Sequence, residues 1–136
     1  MNKRNLCILA VIAAVFGLVL AGCFVESEPP EIQAGNPWGE PPYTGEVEGS
    51  NSGGYGGPIT VKFSLLNGII KTVDVTHNET ASIGGRFIDT AKALIIQANS
   101  LDPIDGLTSP TAPATKPAFK EAGKAALNKI PGVELE

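Results

Sequence analysis

Thr108, Ser109, Thr111 and Thr115 stand among four prolines in "PIDGLTSPTAPATKPAFKEA", Pro103 to Ala122, directly ahead of a helical pattern. The first turn of a helix carries unpaired N–H groups and the positive end of the helix dipole, which together favour an anion such as phosphate. Neighbouring hydroxyls can complete such a cradle. The plainer alternative is a solvated Ser/Thr/Pro loop with Thr115 capping the helix. A second candidate is "GGYGGPI", Gly53 to Ile59, with "HNETASIGG" following later in the chain. Glycines let a backbone approach a ligand closely and expose its N–H groups, and they serve equally well in a flexible turn. His77 is the single histidine, and its nearest acids, Asp74 and Glu79, do not stand at helical ligand spacing. A strand-end imidazole in water is the better account of it than a metal ligand. No HExxH, nucleophile elbow or Walker loop occurs, so the familiar signatures of enzymes are missing.

These residues must be positioned by a small set of elements. In "PITVKFSLL" the residues Ile59, Val61, Phe63 and Leu65 alternate with polar neighbours, and "IIKTVDVTH" repeats the pattern with Ile69, Val73, Val75 and His77. Asn67-Gly68 between them marks a hairpin. A plain two-residue turn would set Val61 opposite Asp74 and mix apolar with polar side chains on one face. A one-residue slip reverses every side chain, so a three-residue loop, Leu66 to Gly68, is expected, pairing Val61 with Val73 and placing His77 opposite Gly57. A helix follows at about Arg86 to Gln97, with Ile88, Ala91, Ile95 and Ala98 at helical spacing. The loop after it holds a short extended piece at Ile104 to Leu107. A second helix runs from about Lys116 to Ile130, with Thr115 as N-cap, Pro117 in its first turn and Pro131-Gly132 as its stop. Phe119, Ala122, Ala126 and Ile130 form its inner stripe. The fold class is α+β: a small twisted antiparallel β-sheet packed against two or more helices.

Residues 1–22 have the form of a lipoprotein signal peptide. Lys3 and Arg4 precede an apolar run, Leu6 to Leu20, that ends in "LAGC"; the run is too short for a spanning helix. Ala21 and Gly22 before Cys23 resemble a bacterial lipobox, with Cys23 the residue that is lipidated after cleavage. The expected location is therefore extracytoplasmic, on a bacterial membrane through the lipid. Cys7 leaves with the signal, so Cys23 has no partner for a disulfide within the chain. Fourteen acids then face eight bases, a formal charge near −6 once Lys3 and Arg4 are removed. That balance argues against nucleic acid as a partner and against electrostatic docking on anionic lipid. Residues 23–54, rich in Pro, Gly and Glu, read as a tether, "GSNSGG" as a hinge, and residues 55–136 as the folded domain.

The order "GYGGPITVKFSLLNGIIKTVDVTHNET", a helix, "DGLTSPT" and a final helix resembles the FMN-binding domain family, which includes flavin subunits of the sodium-pumping NADH–quinone reductase and the Rnf complex. The likeness covers Gly54 to Ile130. In that family a motif Asp-x-x-Ser/Thr-Gly-Ala-Thr receives FMN, its final Thr being joined by a phosphoester through a separate flavin transferase. By this resemblance Asp105 is the leading acid, Thr108 the Ser/Thr and Thr111 the acceptor. Ser109 and Pro110 stand where Gly and Ala are usual. The resemblance also implies that Gly56, Gly57, Glu79 and Thr80 line the flavin ring, and that the phosphate sits by Thr108 and Ser109 at the start of the last helix.

What the resemblance implies for function is a lipid-anchored FMN protein that carries electrons between a membrane donor and an extracytoplasmic acceptor. That favours a redox carrier over a catalyst with its own substrate. A flavin transferase for maturation and redox partner proteins, or an external electron acceptor, are the implied partners. The alternative is a flavin-free lipoprotein of the same fold, acting as a ligand- or protein-binding module.

Overall fold

Ile59, Val61, Phe63 and Leu65 are all buried, and that alternation makes β2 (Gly57–Leu66) the middle strand of a three-stranded antiparallel sheet. β1 (Gly45–Gly54) and β3 (Ile69–Thr76) flank it, in the order β1-β2-β3. The computed structural model describes residues 35–108 and 113–136, so Cys23 with its signal segment, and Ser109, Pro110 and Thr111, lie outside the described residues. A π-helical turn (Ala81–Gly85) runs straight into helix α1 (Arg86–Ala98); a single helical turn, α2 (Pro103–Gly106), and a longer helix, α3 (Thr115–Leu127), complete the chain. This is the small α+β fold expected from the patterning.

One core joins the sheet to the helices. α3 packs on β1 and β2, and α1 packs on β3. The inward strand residues meet Ile88, Ala91 and Ile95 of α1 and Phe119, Ala122 and Ala126 of α3, with Ile130 just beyond. The Phe87 and Phe119 rings meet edge to face at 6.1 Å, which bridges the two helices. Phe63 and Phe119 are fully buried, and burial of each such side chain stabilises the fold by roughly 2–3 kcal/mol.

β1 corrects the tether boundary. Residues 45–54 form a paired strand, not a hinge, with Val47 opposite Phe63 and Gly49 opposite Val61. The strand was hidden because its inward positions are Val47, Gly49 and Asn51, so only one of three is apolar. Gly49 is there for contact: a Cβ would run into the Ala122 carbonyl and the Ala126 amide of α3. Contacts with the core begin ahead of β1. Gly35 N–H donates to the Ala98 carbonyl at 2.6 Å, Trp38 N–H to Gly68 at 2.9 Å and the Trp38 indole to the Asn99 carbonyl at 3.0 Å. Trp38 and Tyr43 both pack against the core.

The hairpin register is corrected as well. Asn67 (φ 51°) and Gly68 (φ 74°) both take positive φ, as a two-residue type I′ turn requires. Leu66 pairs with Ile69 and Leu65 with Ile70, and then a bulge skips Lys71, so Ser64 pairs with Thr72, Phe63 with Val73 and Val61 with Val75. The extra residue demanded by the apolar pattern is in β3, not in the loop. His77 therefore falls short of Gly57, and the position facing the Gly54–Gly57 turn belongs to Glu79.

Two local expectations also change. Ile104 to Leu107 does not extend; Pro103, in the first turn, starts the helical turn α2, and Ile104 is buried beneath it. Thr115 is not an N-cap but the first residue of α3, fully buried, while Ala114 holds the cap position without a side-chain bond.

Candidate functional site

Glu79 collects the elements at one end of the sheet. Its Oε1 accepts the Gly56 N–H at 3.1 Å, and its Oε2 accepts the Thr115 hydroxyl at 2.8 Å. The carboxylate is buried, at 8% exposure. It fits because glycines surround it. A Cβ on Gly54 would lie 2.8 Å from Oε1, and one on Gly84 would crowd Oε2. Gly56 is pinned in the same way, since a Cβ there would strike the Asn78 carbonyl. The Glu79 N–H in turn donates to His77 Nδ1 at 3.1 Å, so the histidine shapes the local backbone. Among the described residues no cluster of His, Cys, Asp or Glu could hold a metal ion.

Of the residues picked out from the sequence, Gly56, Gly57, Glu79 and Thr80 are brought to one end of the sheet. Gly57 has φ 121°, and nothing lies within 4 Å of where its Cβ would be. This is open backbone that only glycine readily supplies. Thr80 is exposed at the start of the π-helical turn, which begins with Ile83 and Gly85 N–H groups donating to the Thr80 carbonyl.

Asp105 and Thr108 stand on the other side of the proline-rich loop. Asp105 is bound to Lys120, whose Nζ lies 2.6 Å from Oδ1 and 2.8 Å from Oδ2. This hydrogen bond is the main reason its carboxyl titrates below the usual carboxylate range, with the charges of Lys116 and Lys124 adding to the effect. Lys116 Nζ donates to the Asp105 and Leu107 carbonyls, both at 2.8 Å. Thr108 is exposed just beyond. The described chain is therefore held before residue 109 by Lys116 and Lys120, and after residue 112 by Thr115 on Glu79. Ser109 and Thr111 fall between these points, outside the described residues.

Thr115 is the residue of this arrangement that reading the chain misjudged. Its side chain meets a carboxylate 36 positions away, and a threonine before a helix reads as a cap. A cleft of about 910 Å³, lined in part by Trp38, Asn99 and Val133, lies at the opposite end of the sheet, beside the β2–β3 turn.

The arrangement suits a phosphorylated ligand: an open glycine turn on one side, and on the other a helix start with no side-chain cap on its free amides. A family model, the FMN-binding domain, matches residues 54–128. No curated protein matches the chain. The match takes in β2, β3, all the helices and each residue around Glu79, and on that ground the chain belongs to the FMN-binding domain family, with FMN as its cofactor.

Proposed function

We propose that this protein is an extracytoplasmic electron carrier, lipid-anchored at Cys23, with FMN joined through a phosphoester to Thr111. The observation that supports it best is that α3 holds the described chain both before and after residues 109–112. Lys116 and Lys120 hold the side before, and Thr115 holds the side after, on the carboxylate that also binds the Gly56 amide. The described residues on either side of Thr111 are thus tied to the same helix that meets the glycine turn through Glu79.

FMN supplies the redox chemistry when bound. The protein's own residues bind, orient and exclude water. The Gly54–Gly57 turn offers backbone close to the ring, and the first turn of α3 offers N–H groups to the phosphate. In the attachment, the Thr111 hydroxyl loses its proton and its oxygen attacks the flavin-side phosphorus of a flavin dinucleotide such as FAD; the pyrophosphate bond breaks, the nucleoside monophosphate leaves, and the chain gains one FMN less one water. A separate flavin transferase performs that step. Membrane donors and extracytoplasmic acceptors fit the lipid anchor and the acidic surface.

The test is to express the full chain together with a flavin transferase and run it denatured. In-gel flavin fluorescence and the mass gain of FMN less water are expected, and both are lost in Thr111→Ala. A parent chain with neither signal rules out the covalent link.

A further inference from the structure

Glu79 is an expensive residue for its place. Glutamate is rarely buried unless paired, and a carboxylate taken out of water costs several kcal/mol unless strongly compensated. Among the described residues its side chain has no cation within ion-pairing distance; the ion pairs there are Lys62–Glu46, Lys120–Asp105 and Lys124–Glu121. What it has instead is two neutral donors from two distant elements, one on each oxygen. The surroundings are cut to admit it, with Gly54 and Gly84 leaving space where side chains would otherwise stand. A fold needing only cohesion at this point would be served as well by apolar side chains.

We infer that Glu79 is the positioning residue of the FMN site, fixing the Gly54–Gly57 turn and the first turn of α3 in one arrangement. The inference rests on the reading that FMN lies at this end of the sheet, and it does not require the covalent link. Oε2 holds Thr115, and with it the start of α3, on one side of the site. Oε1 does the same for Gly56, on the far side of the site. The two walls therefore move together or not at all. The backbone of Glu79 is itself steadied by the bond from its N–H to His77 Nδ1.

Three variants of the full chain in detergent micelles test this: Glu79→Ala, Glu79→Gln and Thr115→Val. The first measurement is the hydrogen-exchange rate of the Gly56 amide by NMR, without flavin. The second is attachment of the FMN group by a purified flavin transferase supplied with FAD, resolved into KM and kcat for the chain as substrate. Leaving a buried carboxylate oxygen without its donor should loosen the clasp, so Thr115→Val is expected to speed Gly56 exchange roughly tenfold or more and to raise KM more than it lowers kcat. Glu79→Ala should do the same. Glu79→Gln should restore both to within about threefold, because the amide oxygen can take the Gly56 N–H and the Thr115 hydroxyl can turn to accept from the amide nitrogen. A role in stability alone would not move KM in the variants and return it in Glu79→Gln. Unchanged Gly56 exchange in Thr115→Val overturns the inference, as does a Glu79→Ala chain that takes up FMN like the parent. A parent that takes up no FMN sinks the attachment reading, and the clasp then stands or falls on the exchange rate in Thr115→Val.

Discussion

The side-chain oxygen of Asn99 accepts the Ile70 N–H at 2.8 Å, tying the end of α1 to the start of β3. Asn99 is buried and left-handed at φ 49°, and its Nδ2 donates to the Gly68 carbonyl at 3.2 Å and to the Asn36 carbonyl at 3.2 Å. One residue thus ends a helix, starts a strand and receives the incoming chain.

Asn99→Ala should lose about 3 kcal/mol, because buried backbone groups go unpaired and alanine disfavours a left-handed backbone. Asn99→Gly should recover about 1 kcal/mol of that, since glycine takes the backbone conformation freely. Urea unfolding of the three chains checks both figures. Equal stabilities for the alanine and glycine variants would show that the backbone conformation contributes nothing.

Gly49→Ala is expected to destabilise by about 2 kcal/mol or more, since the new Cβ must push α3 off β1. Gly106→Ala is the control, as its Cβ position is open and its φ is not positive. There alanine should be neutral or gain about 0.5 kcal/mol. Thermal unfolding followed by circular dichroism would separate the two.

Asp105 gives a pH signature. Its carboxyl is held below the usual value of 3.8, chiefly by Lys120. A depressed carboxyl contributes stability above its unfolded pKa and loses it as pH falls through the folded one. Asp105→Asn should therefore be less stable than the parent near neutrality, and the gap should close as the pH drops from about 3.8 downward. The pair is exposed, so added salt should narrow the gap as well. A difference that persists in strong acid would assign it to something other than the ion pair.

The family match begins at Gly54, but the sheet does not. A chain trimmed to start at Gly54 loses all but the last residue of β1, exposes one face of α3 and leaves β2 as an edge. It should give poorly dispersed amide resonances in a one-dimensional proton spectrum, whereas a chain starting at Gly35 should be well dispersed.

Strong periodicity made much of this fold legible in the chain. β2 announces itself by four alternating apolar residues, and α1 and α3 by stripes such as Ile88, Ala91 and Ile95. β1 did not, because Gly49 reads as flexibility until the helix lying on it is seen. The hairpin parity was legible from the demand that apolar side chains share a face, yet that demand cannot say whether the extra residue sits in the turn or, as here, at Lys71. In the site, Gly56 and Glu79 were marked by family order. Thr115 was not, since nothing local distinguishes a capping threonine from one aimed at a carboxylate from another element.

The chain enters the fold at Gly35, beside the β2–β3 turn, while Glu79 and Gly56 occupy the far end of β2. β2 has ten residues, so the two ends stand roughly 30 Å apart at ~3.3 Å per residue. The anchor proposed at Cys23 precedes Gly35 by a dozen positions, and a chain of that length spans at most about 40 Å. Gly35, the first described residue, and Glu79 thus stand at opposite ends of the sheet. On the proposed function, a domain moored through Gly35 would turn its flavin end away from the membrane and would have to tip over to meet a donor embedded in it.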